Sequence, residues 1–131
     1  MKRILILLIV LTTFVRLSFS QGSSLPSSTV SATQSGNASV LATGFNENVE
    51  LILPNQNGVF SKSQAEYIMA DFFRQNPPTA FSIIHQGQRE NSSYAIGKYS
   101  CASGAYRFQF LTKSEGGALL IKQLRIEKQD E

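Results

Sequence analysis

The side chains that could do chemistry are few: one histidine, His85, and four tyrosines, Tyr67, Tyr94, Tyr99 and Tyr106. An imidazole titrates near neutral pH, which makes His85 the first candidate for a site. The phenols could orient a ligand through their hydroxyls, and Arg107 could meet a ligand anion. No Ser–His–Asp arrangement can be argued around His85, because Asp71 is the one internal aspartate beyond residue 20 and falls on the polar side of a helix. No cluster of His, Cys, Asp and Glu has metal-ligand spacing, so neither a metal nor a cofactor is expected. Each candidate also has a plainer reading. His85 is then a strand-end histidine bonded to a backbone carbonyl or carboxylate. The tyrosines pack in a sheet with their hydroxyls reaching water or backbone, and Arg107 and Arg125 pair across strands with Glu127.

The elements that must position these groups are legible from hydrophobic period. Ala65, Ile68, Met69, Phe72 and Phe73 fall on one stripe of a helix over 61–76. Ser61 or Ser63 can cap it, with Gln64 or Glu66 closing a capping box. Asn76 and Pro77-Pro78 stop it, since proline disfavours the α conformation in the residue before it. Upstream, 28–45 reads as two short helices broken at Gly36. Residues 48–53 read as a strand ended by Pro54, and Asn55-Gln56-Asn57-Gly58 as its turn. Beyond Pro78 the period becomes two. Phe81, Ile83 and His85 share one face, which points His85 into the interior. Strands follow over 94–101, 106–112 and 118–127, joined by short turns in an antiparallel meander. Both faces of the last strand are partly apolar, so one face should meet the 61–76 helix and the other a second subunit.

Charge and composition narrow the partners. Met1-Lys2-Arg3, the apolar run Ile4 to Val15 and Ser18-Phe19-Ser20 form a secretory signal over 1–20. The apolar run is shorter than the roughly 20 residues a membrane-spanning helix needs, so no stable anchor is expected after cleavage. The signal carries three of the twelve basic residues and no acid, so the mature chain has nine of each and no net charge. No basic block remains to neutralise a nucleic-acid backbone. Residues 21–28 form a Ser-rich leader and 29–131 one domain. Cys101, the single cysteine, reads as a buried small hydrophobe in a strand.

Helices first, then a short hairpin, a long helix and a curved antiparallel sheet is the element order of an α+β cone. In this the chain resembles the nuclear transport factor two-like superfamily, which includes ketosteroid isomerase and scytalone dehydratase. More narrowly, it resembles an uncharacterised domain-of-unknown-function family of small exported bacterial proteins within that superfamily. The residues that carry the likeness are Phe45-Asn-Glu-Asn-Val-Glu-Leu51, Phe60-Ser-Lys-Ser-Gln-Ala65, Asp71-Phe72-Phe73, Phe81 with His85-Gln86-Gly87, Tyr94-Ala-Ile-Gly97, Tyr106-Arg-Phe108 and Leu124-Arg-Ile-Glu127. The resemblance implies architecture and export to the periplasm or medium, and no established reaction. Isomerase chemistry in such a cone needs a carboxylate base facing a phenol, and apart from Glu127 the acids lie outside the expected interior strands. The expectation is therefore an exported non-catalytic module, binding a small apolar ligand in the cone or acting as an envelope interaction protein dimerised through its sheet. The alternative is an isomerase or dehydratase using His85 with a tyrosine.

Overall fold

A computed structural model describes residues 25–129. The expected signal sequence and the first part of the leader lie outside the described residues. Two short helices, α1 (Ser27–Ser35) and α2 (Ala38–Ala42), lead into the hairpin β1 (Phe45–Leu53) and β2 (Gln56–Ser61). The long helix α3 (Lys62–Gln75) follows, and then β3 (Pro78–Arg89), β4 (Ser92–Cys101), β5 (Gly104–Glu115) and β6 (Ala118–Gln129). The break between α1 and α2 falls at Gly36, whose φ of 67° is the left-handed cap that glycine adopts without strain.

Local chemistry sets the ends of α3. The Ser61 hydroxyl accepts from the Gln64 N–H, and the Gln64 side chain accepts from the Ser61 N–H, so the capping box uses this pair of the several possible. At the other end Asn76, held out of the α region by Pro77, donates its N–H to the Phe72 carbonyl. Ala65, Met69, Phe72 and Phe73 are buried and Ile68 packs on the same core, as the periodicity predicts.

The six strands form one sheet in the order β2-β1-β6-β5-β4-β3. β3 to β6 make the expected antiparallel meander. The hairpin joins the same sheet, with β1 running parallel to β6. Its turn differs from the expected one. Leu53 pairs with Gln56, so Pro54 and Asn55 make the turn while Asn57 and Gly58 sit within β2. Pro54 supplies the turn's fixed φ. Gly58 lies under the tip of the Phe60 ring, which a Cβ would meet at 2.9 Å and push aside.

The inner face, against the helices, is filled by rings. Phe108 and Tyr99 stack at 4.7 Å between centroids, 12° from parallel. Phe72 of α3 meets Tyr99, Tyr106 and Phe108 edge-on or tilted at 5.3–5.8 Å. Phe81 and Phe110 lie one ring further in, on Phe108. Phe45, Leu51, Ile121 and Leu124 close the other half of this core. Each such side chain contributes about 1.5–3 kcal/mol by leaving water. Cys101 is buried, as expected of it.

Candidate functional site

The tyrosines and the histidine occupy separate places. Tyr99 and Tyr106 are cross-strand partners on β4 and β5, facing inward. Both reach Asn76 at the C-terminal end of α3. The Tyr99 hydroxyl donates to the Asn76 carbonyl at 2.5 Å. The Tyr106 hydroxyl and the Ser103 hydroxyl donate to Asn76 Oδ1 at 3.3 and 3.2 Å. Asn76 Nδ2 in turn donates to the Phe72 carbonyl. Asn76 therefore ties the helix end to two strands. Burial pushes the Tyr99 phenol well above its usual range, and the potential negative charges of Cys101 and Tyr106 push it further. A neutral, fully buried phenol with its proton committed to a carbonyl works as a strut and not as an acid.

Tyr106 also stands on the rim of a polar groove of about 260 Å³ at the same end of the cone, with Leu53, Asp71, Phe72, Gln75 and Asn76. Asp71 is the carboxylate that lines this groove, and it is engaged. Arg74 and Gln75 both donate to it along α3.

His85 is not in the cone. The ladder between β3 and β4 pairs Ile83 with Gly97 and then His85 with Ile96, leaving Ile84 as a bulge. One extra residue inverts the alternation, so His85 lies on the face opposite to Phe81 and Ile83 and is exposed. The expectation that it shares their face is corrected accordingly. Tyr94, which pairs with Gly87 and lies over it, is 42% exposed on this outer face. Arg107 is on the outer face too, opposite Lys98 on one side and Glu127 on the other. Arg125 donates to Glu127 at 3.3 Å. Tyr67 stands apart on α3, 76% exposed. The structure thus brings Tyr99 and Tyr106 together inside and spreads His85, Tyr94 and Arg107 over three different rows of the outer face. The sequence reading used Asn76 only as a helix stop. An amide placed between a helix and Pro-Pro, ahead of tyrosine-bearing strands, was the available signal for its role.

The family model described as a domain of unknown function (DUF4783) matches residues 26–127. The chain belongs to this family. A DUF4783 family protein from Bacteroides ovatus is 29% identical and superposes with a TM-score of 0.80 over 84% of this chain and 100% of its own. One from Bacteroides uniformis is 32% identical, with a TM-score of 0.78 over 82% of this chain and 99% of its own. An ntf2-like protein of unknown function from Shewanella baltica, 10% identical, superposes at a TM-score of 0.63 over 80% of this chain and 88% of its own, a likeness of fold alone. No curated protein matches the chain. The DUF4783 domain is thus an α+β fold of the nuclear transport factor two-like type.

Proposed function

We propose that this DUF4783 chain is an exported, non-catalytic interaction module that works as a homodimer through the outer face of its sheet. The self-complementary register of that face carries the reading. A two-fold axis parallel to the strands, between β5 and β6, would set each β5 residue against a β6 residue of the second copy, and each β4 residue against one on β1. In the rows that cross the sheet, Arg107 shares its row with Glu127, and Ile96 shares its row with Ile52. Arg107 would then face the second copy's Glu127, and Ile96 its Ile52, while Gln109 would face its Arg125. Opposite charges beside the axis, flanked by apolar pairs on β4 and β1, give both register and area.

The filled inner face favours this reading over a small apolar ligand held in the cone. The place of His85 outside the cone likewise weighs against the isomerase alternative. Export rests on the 1–20 signal pattern. The test starts from the full chain expressed with its leader in a bacterial host, where the secreted protein should begin near Gln21. Light scattering from about 1 to 200 µM should give a dimer. Arg107→Glu and Glu127→Arg should each give a monomer, and the double exchange should restore the dimer. A monomeric wild type, or a double variant that stays monomeric, would overturn the dimer. Retention of Met1 would overturn export.

A further inference from the structure

The two edges of the sheet are finished differently. β3 is guarded: it opens on Pro78, which has no N–H to offer, and the bulge at Ile84 interrupts its ladder. α1 lies along it, and Gln34 Nε2 donates to the Phe81 carbonyl at 3.2 Å. β2 has none of these devices. Its stretch from Gln56 to Ser61 contains neither proline nor charge, and among the described residues it pairs with β1 alone. Val59 in its middle is 68% exposed. Such an edge is a template for a further strand. Between β2 and α3 runs a groove of about 400 Å³, lined by Gln56, Phe60, Ser63, Gln64, Tyr67 and Ile68. Phe60 faces inward here, opposite the buried Val49.

We propose that the β2 edge is a strand-addition site for an extended peptide with small apolar side chains at alternate positions and a basic N-terminal end. The backbone of β2 would supply the ladder, and every second guest side chain would rest between Phe60 and Tyr67. Antiparallel addition puts the guest's N-terminal end beside Ser61. Glu47 and Glu66 line a hollow there together with Lys62, and neither carboxylate is ion-paired among the described residues. A lysine or free amine complements that excess of negative charge. A second copy's β2 would bring the neutral Gln56 to the same place, which leaves the carboxylates unmatched.

The probe is a short peptide of lysine followed by alternating valine and threonine, added to the mature protein at about 1 mM. Amide hydrogen exchange across Gln56–Ser61 should slow at least roughly tenfold. The same peptide N-methylated at alternate residues should give no protection, because it cannot complete the ladder. Tyr67→Ala, at an exposed site, should weaken the protection without altering the fold, and replacing the probe's lysine by aspartate should weaken it too. Unchanged exchange, or equal protection from the methylated peptide, would overturn the proposal. Protection that rises with protein concentration and ignores the peptide would assign the edge to a second copy and overturn it as well.

Discussion

Two glycines on adjacent strands show how differently the two faces of the sheet are built. Gly97 of β4 faces inward, and the Phe81 ring occupies the space a Cβ would take. Gly87 of β3 faces outward under the Tyr94 ring in the same way. The local device is shared: a ring from one strand covers a bare backbone on the next. The surroundings are not. Phe81 is 5% exposed and touches Tyr99, Phe108 and Phe110. Tyr94 keeps 42% of its surface in water. Inward rings act as one cluster, so removing one leaves a cavity that its neighbours cannot close. The outward Tyr94 ring borders water, which takes up the space its truncation leaves.

Phe108→Ala gives the largest expected effect. Phe108 is fully buried and meets the rings of Phe72, Phe81, Tyr99 and Phe110. Truncation should cost about 3–5 kcal/mol in chemical denaturation. The same change at Tyr94 should cost the monomer far less. Equal losses at the two positions would break the contrast between the faces.

Tyr99→Phe isolates one polar tie within the packed face. Losing the hydroxyl bond to the Asn76 carbonyl should cost about 1 kcal/mol near neutral pH. Alkaline pH sharpens the test. Burial raises the folded phenol's pKa above the ordinary value of 10.0, so the contribution of the neutral hydroxyl is fully present below pH 10. Above it the unfolded chain ionises first, and stability falls by about 1.4 kcal/mol per pH unit until the folded phenol also ionises. The gap between wild type and Tyr99→Phe should therefore close as pH rises above 10. A gap independent of pH would mean that the ring is wetter than its packing implies.

These two faces were not equally legible in the sequence. The α3 stripe, its cap, the α1–α2 break and the four-strand meander follow from spacing and from Gly and Pro positions, which act locally. The placement of Phe81, Phe108 and Phe110 followed too, because period two is kept wherever the ladder is regular. What failed was whatever depends on a single extra residue. The bulge at Ile84 carries no local mark, since Ile83-Ile84 suits a regular strand equally well. The hairpin turn was misplaced because Asn57-Gly58 has strong turn chemistry, while the pairing of the Val49, Leu51 and Leu53 face outweighs it. The Asn76 tie depends on two strands that the chain has not yet reached, and local pattern cannot show it.

The smallest effect is the most diagnostic of that bulge. With His85 on the outer face and exposed, His85→Ala should change stability by no more than about 0.5 kcal/mol. Ile83→Ala, two residues earlier on the inner face and packed against the core, should cost clearly more, on the order of 1–2 kcal/mol at a half-buried site. Deleting Ile84 removes the extra residue, so His85 follows Ile83 directly and stays opposite Ile96 on the outer face of a regular ladder. The imidazole stays in water, so adding His85→Ala to the deletion should again change stability by no more than about 0.5 kcal/mol. If His85→Ala alone cost several kcal/mol, the histidine would face the core, the ladder would have no bulge, and the division of the site residues between two faces would fall with it.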